Sequence, residues 1–425
     1  MNHPTDETRL PAPRGATAPY GHCVLLKHGE VALKGRNRHL FVRRLEDNLR
    51  SALRGAGGST WIRSPHNITV LGGEVPVGTL VERARTVIGF SSVEPALRVP
   101  STMESVEANA LDVLRTACAG RAATGFAVRA KRRDKTFALT STQLERHLGA
   151  LLQPRIEGLR VDLTSPDVTL TVEVDHRETY LSAERHAGLS GLPVGASGRA
   201  LVLLSGGYDS PVAAHRAMRR GLACDFVHFS GAPYTDPASV YKAYALAREL
   251  NRYQPPGALH VVALGKAQKQ LAVAGAGRLQ VVAQRRLMVR TASALAAGTG
   301  AQALVTGDSL GQVASQTLAN MVAVDQAATL PVLRPLVGWE KQEIIDQARA
   351  LGTAEISVLP DEDCCSLLAP PRVSTGTRIG HLRAVEKRLD LDELVDALLA
   401  NVQVMRPGQE EDRAPEAGAT CAVPS

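Results

Sequence analysis

Aromatic side chains are scarce in this 425-residue chain, at 4% of residues. That excludes a surface built to stack many unpaired bases on open rings and leaves recognition by shape and charge. No apolar run is long enough to cross a bilayer, and Met1 to Tyr20 is rich in Pro, Ala and Thr, without the charged-then-apolar order of a secretion signal. A soluble cytoplasmic protein with no membrane partner is the expectation. The six cysteines, at positions 23, 118, 224, 364, 365 and 421, have no repeated spacing. Their scatter speaks against a disulfide framework and makes reduced thiols the default. The adjacent pair Cys364-Cys365 is poor metal spacing beside C-x-x-C, which argues against zinc or an iron–sulfur cluster.

What the chain does have is basic charge. Its formal net charge is +7, much of it in the first half, and this favours a polyanionic partner. The length has room for two or three domains. Residues 1–19, with four prolines and little apolar content, read as disordered. A strand at His22–Lys27, a helix over Arg38–Leu53 with Leu40, Phe41, Leu45 and Leu49 at helical spacing, short strands at Trp61–Arg63 and Asn67–Leu71, and a helix over Val81–Ile88 give a small α+β unit over residues 20–90. A second unit, residues 91–187, carries helices Val106–Ala117 and Ser141–Leu152, the latter with a candidate Ser cap. Its strands are Gly125–Ala130, Val168–Val174 and Glu178–Ala183. The Gly/Pro-rich residues 188–198 mark a linker. Over 199–405, apolar strands at Leu201–Leu204, Cys224–Phe229, His260–Leu264 and Ala303–Thr306 alternate with helices. That is the grammar of a doubly wound parallel α/β sheet with its ligand site at the strands' carboxyl ends. The tail, residues 406–425, reads as disordered.

The loop Ser205-Gly-Gly-Tyr-Asp-Ser210 follows the first of these strands and opens a helix. Its amides, with the positive end of the helix dipole, form an anion cradle, which makes Ser205, Gly206, Gly207 and Ser210 candidate phosphate ligands. No lysine follows the glycines, so the nucleotide-triphosphatase loop G-x-x-x-x-G-K-[ST] is excluded. A loop of this kind suits enzymes that split ATP between the α and β phosphates. Asp209 would repel phosphate unless a cation lay between them, so it either helps hold Mg²⁺ or caps the helix. Main-chain groups of the adjacent strand ends Leu203-Leu204 and His228-Phe229 can read the adenine edge, although His228 reads equally as a hydrogen-bonded strand-end histidine. On the helix around Gln284–Arg290, Arg286 and Arg290 share a face and Arg285 lies about a hundred degrees away. A guanidinium there would neutralise charge on the α-phosphate as pyrophosphate leaves. Gly307 permits close approach of backbone to ligand, and Gln312 and Gln316, four apart, are expected on one helix face.

Seven segments now stand in a fixed order: Gly29-Glu-Val-Ala-Leu-Lys34-Gly-Arg36-Asn-Arg38, Val128-Arg-Ala-Lys-Arg-Arg-Asp-Lys135, Gly191-Leu-Pro-Val-Gly195, the Ser205 loop, Gly307-Asp-Ser-Leu-Gly-Gln-Val-Ala-Ser-Gln-Thr317, Arg334-Pro-Leu and Glu362-Asp-Cys-Cys365. Together they resemble the tRNA uridine 4-sulfurtransferase, or 4-thiouridine synthase, family over roughly residues 22–395. The resemblance implies ferredoxin-like and THUMP α+β domains ahead of a doubly wound ATP-pyrophosphatase domain. It also implies thiolation of the uridine at position 8 of tRNA through an adenylated base. The family's ATP contacts fall on Leu203, Leu204, His228, Phe229, Arg285, Gly307 and Gln316, and its catalytic cysteine on Cys364, the expected persulfide carrier. Tyr208 stands where an apolar residue is more usual.

Two basic groups support RNA binding independently: Lys34, Arg36 and Arg38 in a loop, and Arg129, Lys131, Arg132, Arg133 and Lys135 at a strand end, all suited to phosphate contacts. Asp361, Glu362 and Asp363 precede Cys364 and oppose its thiolate unless basic groups offset them. Cys365 is a candidate resolving thiol, although adjacent cysteines close a strained ring. The resemblance is to the form without a rhodanese domain, so sulfur is expected to reach Cys364 from a cysteine desulfurase or from sulfide. It also brings in thiamin thiazole synthesis and allows a homodimer. Two rivals stand beside this reading: an amide-forming ligase of the same superfamily, and a tRNA-binding chaperone with a vestigial ATP site.

Overall fold

The computed structural model describes residues 20–121, 123–362, 364 and 368–408. The expected disorder of residues 1–19 and of the tail past Gly408, and the part given to Cys365, lie outside the described residues. In chain order, the N-terminal portion gives β1 (Gly21–His28), α1 (Arg38–Ala52), β2 (Thr60–Arg63), β3 (Ile68–Gly73), α2 (Val77–Arg85) and β4 (Phe90–Pro100). Then come α3 (Met103–Cys118), β5 (Thr124–Arg132), α4 (Ser141–Leu152), β6 (Leu159–Val161), β7 (Val168–Val174), β8 (Glu178–Ser182) and β9 (His186–Ala187). The remainder gives β10 (Arg199–Leu203), α5 (Asp209–Arg219), β11 (Ala223–Ser230), α6 (Ala238–Leu250), β12 (Leu259–Ala263), α7 (Gly265–Val273), α8 (Gln280–Thr299) and β13 (Ala303–Val305). Last are α9 (Leu318–Asp325), β14 (Val332–Leu333), α10 (Lys341–Leu351), α11 (Ala354–Ser357), α12 (Ile379–Glu386), α13 (Leu391–Leu399) and β15 (Gln403–Met405).

Two compact units result. The first takes the residues up to Leu26, Ala56–Val81 and Val93–His186; the second takes Lys27–Gly55, Glu82–Ser92 and the residues from Ala187 on. In the first, strands run in the order β2-β3-β1-β4-β8-β7-β5-β6, with β9 beside β4. The buried residues Val106, Ala110 and Leu114 of α3, and Leu144, Leu148 and Leu152 of α4, recur every four positions and cover Phe126, Val128, Leu170 and Val172 of the sheet. The cap of α4 is Thr140, which exchanges hydrogen bonds with Gln143, so the expected Ser141 cap is displaced by one residue. The helix expected over Val81–Ile88 begins earlier, at Val77, because the carbonyl of Pro76 accepts the Leu80 amide. Strand β4 runs unbroken past residue 90. Its polar residues hid it from a search for apolar alternation: Arg98 and Glu94 are buried, and Arg98 donates to Glu178 on the adjacent β8 at 2.6 Å.

The second unit holds a six-stranded sheet, ordered β14-β13-β10-β11-β12-β15 and parallel except for β15. Neighbouring residues along its strands face opposite sides. Val202, Phe226, Val261 and Val305 join one core under α5, α6 and α10, while Leu201, Val227, Val262 and Leu304 join the other under α7, α8 and α13. The chain winds outward from β10 to β12, then returns to the other side of β10 as β13 and β14. The point where the order reverses, between β10 and β13, is where such sheets open a crevice. Helix α1 belongs to this unit: Asn48 donates to the Val194 carbonyl at 3.1 Å.

Candidate active site

The Ser205 loop leaves β10 at that reversal and enters α5. The Ser205 amide donates to the Ser210 hydroxyl at 2.9 Å, and that hydroxyl donates back to the Ser205 carbonyl at 3.2 Å, so the loop is braced on the first turn of the helix. Asp209 and Pro211 occupy that turn. A carboxylate there complements the helix dipole, and the proline lacks only an N–H that no helical carbonyl would take. Among the described residues no acceptor takes the amides of Gly206 or Gly207.

The loop after β13 forms the opposite wall. A Cβ on Gly307 would stand 2.6 Å from the Ser210 nitrogen, so only glycine lets this loop lie against the start of α5. The next residue, Asp308, is 4% exposed and gathers four donors. Arg285 reaches it at 2.5 Å, Thr306 at 2.9 Å, Arg334 at 3.1 Å and Gln316 at 3.3 Å. Burial alone would raise the carboxyl pKa, but Arg285, the Thr306 hydroxyl and Arg334 outweigh it and hold it below the usual value. Arg285 also donates to the Ser315 carbonyl, which fixes its guanidinium at the rim of the crevice.

Asp209 is engaged on both oxygens, accepting from Lys341 at 2.8 Å and from Gln312 at 2.9 Å. The Lys341 ammonium also stands 5.4 Å from the centre of the Tyr208 ring, within cation–π range. Gln312 and Gln316 do not share a helix face. Only Ala314–Gln316 is helical, as a single 3₁₀ turn, and the two side chains go to different carboxylates. Both leave their Oε1 buried without a partner among the described residues.

The end of β10 pairs with β11, Leu203 opposite Val227, which sets Leu203-Leu204 beside His228-Phe229. His228 is 3% exposed, and its Nδ1 lies 2.9 Å from the Leu204 carbonyl, which can only accept. Nδ1 therefore carries the proton, and Nε2 accepts from the Ser239 hydroxyl at 3.2 Å. The histidine is a braced strand-end residue. Arg286 serves the fold as well: it is 4% exposed and forms a two-point pair with Glu386 at 2.6 and 2.9 Å. Arg290 is half-buried on the same helix.

Cys364 is buried among apolar residues of the second core, and its carbonyl accepts from Gln268 at 2.6 Å. The acidic residues before it are partly offset. Asp361 pairs with Lys242 at 2.8 Å, and Glu362 accepts the Asp236 amide at 3.3 Å. Asp363 lies outside the described residues.

In the first unit, β5 brings out Arg129 and Lys131 as exposed residues, and Lys135 follows, exposed, in the turn after the strand. Arg129 donates to the Leu163 carbonyl, Arg132 to the Phe137 carbonyl, and Arg133 pairs with the buried Glu173 at 2.8 Å. In the second unit, Arg36 is exposed, Arg38 half-buried, and the Lys34 ammonium lies 5.0 Å from the Phe41 ring centre.

Residues 23–93 match the ThiI ferredoxin-like domain, 100–184 the THUMP domain and 195–391 the thiamine biosynthesis protein (ThiI) family. A probable tRNA sulfurtransferase of Nocardia farcinica is 57% identical over 393 residues, which span 92% of this chain and 95% of that protein. The chain belongs to the tRNA sulfurtransferase family. A family member from Thermus thermophilus is 41% identical over 91% of this chain and 95% of its own length. The crystal structure of a 4-thiouridine synthetase–RNA complex with bound ATP has the same fold, with a TM-score of 0.83 at 31% identity over 91% of this chain and 99% of that one.

Four charged residues of the site, Lys242, Asp308, Lys341 and Asp361, pair in ways the motifs do not show, although Asp308 lies within one of them and Asp361 is among the acidic residues before Cys364. Asp308 had a signal, a carboxylate directly after Gly307 at the end of an apolar strand. The lysines had none. Lys341 reaches Asp209 across 132 residues, and Lys242 reaches Asp361 across 119.

Proposed function

We propose that the protein is a sulfur-transferring tRNA enzyme that converts the uridine at position 8 of tRNA to 4-thiouridine, with ATP as activating substrate. The observation that carries this is the Ser205 loop. It sits at the sheet's reversal point with two unengaged glycine amides, in a chain of the tRNA sulfurtransferase family. Unsatisfied donors at Gly206 and Gly207 fit phosphate oxygens, and the orphan acceptors on Gln312 and Gln316 fit hydroxyl and amino donors of a nucleoside.

In the proposed reaction, O4 of the uracil attacks the α-phosphorus and pyrophosphate departs into the Ser205 loop, where the amides stabilise its charge. Arg285 spends two of its five N–H donors on Asp308 and Ser315, and its remaining donors are assigned to the α-phosphate. Mg²⁺ would be held chiefly by the phosphate oxygens and water, and Asp209 would join it only by giving up Lys341 or Gln312, which engage its two oxygens. The terminal sulfur of a persulfide on Cys364 then attacks C4 and AMP leaves. A second thiol attacks Sγ of Cys364, which releases the thiolated base and leaves a disulfide for an external dithiol to reopen. Cys365 is the neighbouring candidate for that thiol. A cysteine desulfurase is the proposed sulfur donor. The same persulfide would serve thiazole synthesis, a reading supported by the description of the matching family.

Mass spectrometry of tRNA nucleosides from cells with and without the protein tests the function directly; unchanged 4-thiouridine sinks it. The Cys364→Ser variant tests the division of labour. It should still form AMP and pyrophosphate when given tRNA while making no 4-thiouridine, and full thiolation by this variant would refute the persulfide role.

A further inference from the structure

Four charged side chains at the Ser205 loop cancel in pairs, Lys341 against Asp209 and Lys242 against Asp361. The arginines on the facing wall are balanced too, since Arg285 and Arg334 meet Asp308 and Asp325. A polyanionic phosphate chain entering this crevice finds each of these cations committed. Either it brings its own, or a lysine changes partner.

Lys242 is placed to do so. It projects from α6 with its side chain 5% exposed, and its ammonium donates to the Leu359 carbonyl at 2.6 Å and to Asp361 at 2.8 Å. Those two bonds use two of its three donors. The pair lies directly on the loop: a Cβ built on Gly206 would stand 2.6 Å from the second carboxylate oxygen of Asp361 and 3.0 Å from Cδ of Lys242. The glycine is therefore what admits the pair. An anionic carboxylate thus rests against a loop whose own geometry selects anions, and a buried lysine stem supports it from behind.

We propose that Lys242 is a phosphate-binding residue of the nucleotide site, and that an incoming phosphate replaces Asp361 as its partner. Asp361 lies beside the loop without accepting from its amides, and like-charge repulsion drives it off Lys242 once phosphate arrives. Because Asp361 is three residues ahead of Cys364, the exchange ties nucleotide binding to the stretch of chain that carries the sulfur. This proposal rests on the reading of the loop as an ATP site.

The test measures binding of a non-hydrolysable ATP analogue and of adenosine to the full chain by calorimetry. Lys242→Met should weaken the analogue about tenfold or more, the worth of one charge-assisted hydrogen bond, and leave adenosine unchanged. Asp361→Asn removes the competing carboxylate and should bind the analogue at least as tightly as the native chain. If Asp361→Asn weakens the analogue as much as Lys242→Met does, the pair is a structural brace and the proposal fails. It fails also if all variants bind alike. Should Lys242→Met not fold, Lys242→Gln keeps a donor for Leu359, and the Asp361→Asn result is decisive alone. Failure of the native chain to bind the analogue would instead sink the ATP reading itself, and this proposal with it.

Discussion

The ammonium of Lys341 lies 2.8 Å from Oδ1 of Asp209, joining the start of α10 to the first turn of α5. The loop that carries no lysine of its own is thus served by one from a distant helix. Asp209 is the only carboxylate within the loop and its first helical turn, and its removal frees both Lys341 and Gln312. Asp209→Ala should lower tRNA-dependent AMP formation by at least ~100-fold. Affinity for tRNA, read by filter binding, should hardly change; equal loss of both would contradict separate nucleotide and RNA sites.

Asp308 holds Arg285 and Arg334 together, and its neutralisation leaves two guanidinium groups facing each other in a buried wall. Asp308→Asn should destabilise the protein by about 3 kcal/mol in urea unfolding, as loss of one partner from a buried pair does. Because its folded pKa is lowered from 3.8, the native carboxylate contributes fully above that pH and fails as pH drops through the folded value. The acid limb of unfolding should therefore flatten in the variant, and an unchanged limb would assign acid sensitivity elsewhere.

Acid should also act through His215. This residue of α5 is 2% exposed, packs edge-on against Tyr253 at 4.9 Å, and has no partner for Nε2 among the described residues. Burial, then Arg219 and Arg216, push its pKa from 6.5 down to about 3. The folded state holds it neutral while the unfolded chain takes a proton below 6.5, so its contribution is intact above 6.5 and is lost as pH falls toward 3. Between pH 7 and pH 5, His215→Gln should lose about 2 kcal/mol less stability than the native chain. Parallel losses in both proteins would rule the histidine out.

Of the five basic residues around the end of β5, Lys131 and Lys135 are exposed and form no ion pair among the described residues, whereas Arg129, Arg132 and Arg133 each donate to a protein acceptor. The two lysines are therefore the better phosphate ligands. Replacing both with Gln should weaken tRNA binding and reduce the slope of log affinity against log salt by about 2, roughly 1 for each phosphate left without its lysine. An undiminished slope would move the RNA surface away from the end of β5.

The doubly wound sheet and the Ser205 loop were legible because each rests on local pattern: apolar strands bounded by glycine, and a helix start with serine, glycine and aspartate in sequence. Strand β4 was not, because its buried Arg98 and Glu94 break the apolar alternation and meet distant partners, Arg98 with Glu178 on β8 and Glu94 with Arg185 after it. The same holds for the electrostatics of the crevice. Asp209, Asp308 and Asp361 acquire their meaning from Lys341, Arg334 and Lys242, and no spacing rule links residues that only folding brings together. Gln312 and Gln316 looked like helical neighbours for the opposite reason. The spacing was right, but Val313 between them is extended, with φ −137° and ψ 164°, and the 3₁₀ turn begins only at Ala314.

Helix α1 precedes most of the first unit in the chain yet is packed in the second, where Leu45 is in contact range of Gly89 and Asn48 holds Val194. Shortening the gene at an apparent boundary near residue 90 or 185 would therefore amputate a wall of the very half one meant to isolate. Partial polypeptides that precipitate or bind nothing would report that injury, and a split protein faithful to the architecture would have to keep Lys27–Gly55 with the C-terminal half.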